Sequence, residues 1–88
     1  KGAYMDATNK LIEFFINLFS LISEAIHDKL GPAGVDHWDS LQHLNLILAI
    51  EEEFGVSISP EESTEMLNFE LIVMLIEEKL EQKKANAS

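Results

Sequence analysis

The spacing of apolar and polar positions divides the chain into four helical segments. From about Ala7 to Ile26, polar Glu13, Asn17, Ser20 and Glu24 recur at helical intervals. They leave a wide apolar face of Leu11, Ile12, Phe15, Leu18, Phe19 and Ile22. Asp6 or Thr8 is placed to cap its start, and Gly31, Pro32 and Gly34 end any helix and open a loop. A second helix starts after Trp38, with Asp39 as N-cap and Gln42 completing a capping-box pattern; it runs to Phe54 and stops at Gly55. A third, short helix has Ser59 as its cap, Pro60 at its first position and Glu62 closing another capping box, and lasts to about Met66. The fourth starts at Asn68, with Leu67 and Ile72 placed as a hydrophobic staple, and carries Phe69, Ile72, Ile76 and Leu80 along one face. Lys79, Lys83 and Lys84 near its end suit the negative end of the helix dipole. No strand candidate exceeds Val56 to Ile58. The expected fold is all-α, a four-helix bundle of three longer helices and a short third one.

The second helix carries two apolar stripes. At about 100° per residue, Leu46, Ile47, Ile50 and Phe54 share one side, as a core stripe does. Leu41, Leu44 and Leu48 share nearly the opposite side, with Asn45 beside them and Glu51 and Glu52 at the C-terminal end. An apolar strip left in water and rimmed by carboxylates is the pattern of a docking surface. The competing expectation is a central helix buried on both sides.

Length and composition narrow what such a bundle can do. The 88 residues make one domain, here 5–84, with Lys1 to Tyr4 ahead of the first Met read as an expression remnant and 85–88 as a flexible tail. An apolar share of 47% argues against disorder. With no cysteine there is no disulfide, no thiolate zinc site and no cysteine nucleophile. All six basic residues are Lys, so a basic face for nucleic acid is lacking. The run Leu11 to Ile22 is interrupted by polar residues and too short for a bilayer span, and no signal peptide is evident. A soluble, cytoplasmic domain is expected.

Net charge is −10, and its placement is uneven. Between Leu30 and Glu78 there are 11 acids and no Lys or Arg. Such a run costs stability through self-repulsion; it serves solubility or steers the domain toward basic partner proteins.

The densest cluster of functional groups is Val35-Asp36-His37-Trp38-Asp39-Ser40-Leu41. Ser40 falls at the start of the second helix, where free backbone N–H groups and the positive dipole end favour a phosphate. In isolation, Asp-Ser-Leu is an ordinary capping sequence. Here it is followed by Ala49-Ile50-Glu51-Glu52-Glu53-Phe54-Gly55 and then Ile58-Ser59-Pro60-Glu61-Glu62. This joint pattern closely resembles the acyl carrier protein family over about Trp38 to Leu80, and with the long first helix over nearly the whole chain.

The resemblance implies a four-helix bundle with a short third helix. It implies 4′-phosphopantetheine, installed on Ser40 from coenzyme A with Mg²⁺ by a phosphopantetheinyl transferase, and Asp39 as the motif residue and cap. The arm's thiol would hold acyl groups as thioesters, and the carrier, not itself an enzyme, would deliver them to acyl-transferring, ligating or condensing enzymes in lipid, polyketide or related biosynthesis. The family's main recognition helix is the second, which matches the stripe Leu41, Leu44, Leu48 with Asn45, Glu51 and Glu52. A monomer is expected. His37 stands where the common family form has Gly, and the loop from about His27 to Trp38 is shorter than in typical fatty-acid carriers; both point to a specialised stand-alone carrier. Asp39, where peptidyl carriers usually have His, favours the acyl or D-alanyl type.

Other constellations are weaker. Ser40, His43 and Asp39 are too close along one helix start for a hydrolytic triad, and His43 is expected to stack on Trp38 or pack in the core. His27, His37 and His43 fit no common zinc spacing, and Asp36 to Leu41 lacks the ligand alternation and Gly of a calcium loop. Divalent ions along Glu51, Glu52 and Glu53 would act as screening counterions. Met66 and Met74 are expected in the core. The rival function is an unmodified acidic helical adaptor that binds a partner through Leu41, Leu44 and Leu48.

Overall fold

Four-residue spacing of apolar side chains builds the first helix and the centre of the core. Ala7, Leu11, Phe15 and Phe19 follow one another along one stripe and all four are buried. In the computed structural model, which describes residues 2–87, this helix is α1, Gly2–Phe19. It is followed by α2 (Ser40–Phe54), α3 (Pro60–Thr64) and α4 (Phe69–Ala87), with no strand among the described residues. The all-α expectation of three longer helices and a short third one therefore holds. Phe15 makes edge-on contacts with Phe19, Trp38 and Phe69 at ring-centroid distances of 5.3, 5.4 and 5.2 Å. Each such pair adds roughly 0.5–1.5 kcal/mol beyond its buried area. Together they join α1 to α4 and to the segment that leads into α2.

α1 differs from its expected span at both ends. It runs back to Gly2, so Asp6 and Thr8 lie inside the helix and are not caps. It stops at Phe19 and not at Ile26, because Ser20 takes a left-handed φ of 56°. The side-chain amide of Gln42 then donates to the Leu18 carbonyl at 2.6 Å, satisfying an acceptor that a helix end leaves open. Ile22, expected on the apolar face of the helix, consequently lies beyond it and is exposed.

The connection between α1 and α2 thus spans Ser20–Asp39, longer than the His27–Trp38 loop expected. It contains two single 3₁₀ turns, Ser23–Ala25 and Pro32–Gly34, and buries Leu30, Val35 and Trp38. It is also stitched to the start of α4. The Phe69 and Glu70 N–H groups donate to the Leu30 and Asp28 carbonyls at 2.8 and 3.0 Å. Gly31 is needed there, since a Cβ at that position would lie 2.6 Å from the Leu67 carbonyl oxygen.

The Asp39 carboxylate caps α2 by accepting from the Gln42 N–H at 2.9 Å. Only this half of the capping box forms, because the Gln42 side chain is turned to Leu18 and Asn45. Leu46, Ile47 and Ile50 are buried and Phe54 is half-buried. Gly55 ends the helix at φ 65°, where Gly is unstrained, and Lys83 Nζ donates to the Phe54 carbonyl at 2.9 Å. The box on α3 is complete: the Glu62 N–H donates to Ser59 Oγ at 3.1 Å and the Ser59 N–H to Glu62 Oε1 at 2.9 Å.

α3 ends at Thr64, short of Met66, whose side chain drops into the core. α4 buries Phe69, Ile72 and Ile76, and the Asn68 side chain accepts from the Leu71 N–H at 2.9 Å. Leu67 stays exposed, so the staple to Ile72 does not form. Met74, expected in the core, is also exposed, since it lies on the face of α4 opposite Ile72 and Ile76. α4 continues through Ala87, so residues 85–87, read as tail, are helical. Among the described residues, no helix is long and apolar enough to cross a membrane.

Candidate functional site

Trp38 fixes the approach to α2. Its indole packs on Phe19 at 5.0 Å and stacks on His43 at 6.0 Å with an interplanar angle of 24°. Its Nε1–H donates to His43 Nδ1 at 2.9 Å. The other ring nitrogen of His43 lies 3.1 Å from the Ser63 carbonyl oxygen. Since Nδ1 accepts, this network assigns the proton to Nε2, which donates to Ser63. One histidine thereby links the connection, α2 and α3, and the stacking expected for it is observed. Immediately before Trp38, His37 holds a φ of 70°, the left-handed region that glycine occupies without strain.

Ser40 is the first residue of α2 and is exposed. Asp39 precedes it as the cap, and the His43 N–H donates to the Asp39 carbonyl at 2.9 Å. By helix geometry the N–H groups of Ser40 and Leu41 have no acceptor within the helix. Ser40 borders an open, mainly apolar groove of about 570 Å³ between α2 and α3. Trp38, His43, Leu44, Ile47, Met66 and Leu67 contribute to its walls.

The second stripe of α2 is a surface, which settles the alternative of burial on both sides. Leu41, Leu44 and Leu48 are 66%, 50% and 53% exposed. Asn45 is half-buried, and its amide donates to Gln42 Oε1 at 2.8 Å. Glu52 and Glu53 are exposed, whereas the Glu51 carboxylate accepts from the Ile58 N–H at 2.8 Å. Glu51 therefore holds the link from α2 to α3 as well as lying near the stripe.

Cations do little to offset the acids. Among the described residues, the ion pairs are Lys79–Glu62 at 2.8 Å and a long Lys10–Glu13 contact at 3.9 Å. The Lys79 hydrogen bond, followed by that from the Ser59 N–H, holds the Glu62 carboxyl below its ordinary value of 4.5. No group of three or more His, Asp and Glu among the described residues is placed to hold a metal ion.

Four contributors to the site escape a reading of side-chain pattern. Ser63 enters through its backbone carbonyl, to which no sequence motif points. Gln42 looks like a capping-box residue but serves another helix. Met66 and Leu67 become groove walls only because α3 ends early; their apolar character just after a short helix is the available signal. No protein-family model matches the chain, and no curated protein sequence matches it.

Proposed function

We propose that the chain is a carrier of the acyl carrier protein type, with Ser40 as the attachment site for 4′-phosphopantetheine. The observation that carries this reading is the setting of Ser40: an exposed hydroxyl at the first position of α2, beside an apolar groove. A phosphodiester on that hydroxyl would meet the free N–H groups of the first turn and the positive end of the helix dipole. Asp39 directs its carboxylate to the Gln42 N–H, and Trp38 anchors the preceding backbone in the core, so the hydroxyl is held in one place. When bound, the group supplies the thiol on which acyl or aminoacyl cargo is carried, and the absence of cysteine leaves no competing thiol on the protein.

The backbone at His37 supports the same reading. The family form has Gly at this position, and His37 takes the left-handed φ that Gly would take. The exposed Leu41, Leu44 and Leu48, with Glu52 nearby, are the surface by which a monomeric cytoplasmic carrier would meet a phosphopantetheinyl transferase and enzymes with basic surfaces. The same stripe would serve an unmodified adaptor, which differs in leaving Ser40 bare.

Intact-mass measurement tests the proposal. Incubation with coenzyme A, Mg²⁺ and a broad-specificity transferase is expected to add one phosphopantetheine per chain. Ser40→Ala is expected to take none while keeping its fold, because Asp39 remains as the cap. Modification that survives in Ser40→Ala, or a wild-type chain left bare where a control carrier is modified, overturns it.

A further inference from the structure

α4 carries an apolar face with no partner in the fold. Leu71 and Met74 are exposed and three apart, opposite buried Ile72 and Ile76, and Leu67, in the link just ahead of the helix, is exposed as well. Leu71, Met74 and Leu75 line a shallow groove of about 320 Å³ together with Glu65 and Glu78. Every titratable residue of that lining is an acid. The nearest lysine in sequence, Lys79, is turned away onto Glu62 at 2.8 Å, and Lys83 is bound to the Phe54 carbonyl. An apolar strip between two unneutralised carboxylates is complementary to an apolar strip flanked by ammonium or guanidinium groups.

We infer that the Leu71 and Met74 face of α4 is a second docking surface, which takes a basic amphipathic helix of a partner protein. A second copy of the chain is a poor occupant, since each copy brings a net charge of −10 and the same acids to the contact. An anionic membrane or a nucleic acid is repelled for the same reason. The inference does not rest on modification of Ser40.

The test uses the unmodified full chain and two synthetic peptides of identical Leu and Lys composition. One places Leu along a single helical face; the other distributes the same residues around the helix. In a two-dimensional amide NMR titration, the amphipathic peptide is expected to shift residues 67–78 and the redistributed one to leave them largely unmoved. Met74→Lys is expected to weaken the effect at α4 about tenfold, or 1.4 kcal/mol. Glu65→Lys with Glu78→Lys should weaken it and flatten its salt dependence, while Leu48→Lys should leave the α4 shifts intact. These positions are exposed, and native melting of each variant confirms that its fold is kept. Equal response to both peptides, shifts confined to residues 41–48, or indifference to Met74→Lys overturns the inference. Concentration-dependent dimerisation that Met74→Lys abolishes would also overturn it, in favour of a second copy.

Discussion

Replacing Leu46 and Leu48 by Ala in turn separates core from surface on α2 with one chemical change. Both are interior helix positions, and Leu and Ala differ little in helix propensity, so that contribution nearly cancels. Leu46 is 0% exposed and sits among Phe15, Ile50 and Ile72 in the core cluster; its truncation removes buried methyls and leaves a cavity, at about 2–5 kcal/mol. Leu48 is 53% exposed. Full burial of a Leu side chain contributes roughly 1.5–3 kcal/mol, only about half of that area is covered here, and Ala keeps part of it. Leu48→Ala should therefore cost less than about 1 kcal/mol. Urea unfolding followed by circular dichroism reads both values, with an unchanged m showing that the compared states are the same. In thermal melts the difference is large, since about 1 kcal/mol moves Tm by roughly 4–8 °C in a domain of this size. Dissociation from a transferase should show the reverse order of sensitivity, with Leu48→Ala leaving faster and Leu46→Ala little changed under conditions where it is folded. A Leu48→Ala loss of several kcal/mol would refute the reasoning, because the stripe would then be core.

His37→Gly should stabilise the domain by about 0.5–1 kcal/mol in urea unfolding: relief of roughly 1–2 kcal/mol of left-handed strain outweighs the entropy that Gly adds to the unfolded chain. No gain would mean that the imidazole makes a compensating contact. Glu62→Gln should cost about 1 kcal/mol near neutral pH through loss of the charge pair with Lys79. The Glu62 carboxyl titrates lower in the folded state than its ordinary 4.5, so its contribution is full above that value and fades as pH falls through the depressed one. The stability gap between wild type and variant should close accordingly, and a gap that widens on acidification would contradict the assignment. Mg²⁺ or moderate NaCl should raise Tm, since among the described residues most acids lack a paired cation and screening cuts repulsion to a reach of about 8–10 Å. A Tm lowered by salt would show that attraction, not repulsion, dominates.

Much of the fold was legible because its signals are local. Asp39, Ser59 with Glu62, and Gly55 act through neighbours three or four residues away, and each lies where its local pattern placed it. The core and surface stripes of α2 likewise follow from helical periodicity alone. What was not legible depends on distant partners. The apolar spacing of α1 runs on to Ile22, yet the helix stops at Phe19, where Gln42 of another helix meets the Leu18 carbonyl. Met74 has the hydropathy of a core residue, and only the packing of α4 shows that its side faces outward. At the candidate site, the Asp39 cap, the helix-start position of Ser40 and the stacking of His43 on Trp38 were legible from local pattern. The Ser63 carbonyl that completes the arrangement belongs to a helix more than a dozen residues on.

The irregular connection between α1 and α2 has a kinetic consequence. The first N–H groups of α4, on Phe69 and Glu70, find their acceptors on Leu30 and Asp28, far upstream, and Gly31 lets the two backbones touch. The opening turn of α4 is thus finished only after a long loop has closed, a non-local event at a helix start that is ordinarily completed by its neighbours in sequence. The connection and the start of α4 therefore form and open as one cooperative unit. Amide exchange at Phe69 and Glu70 is tied to release of a segment with little regular structure, and not to fraying of the helix to which they belong.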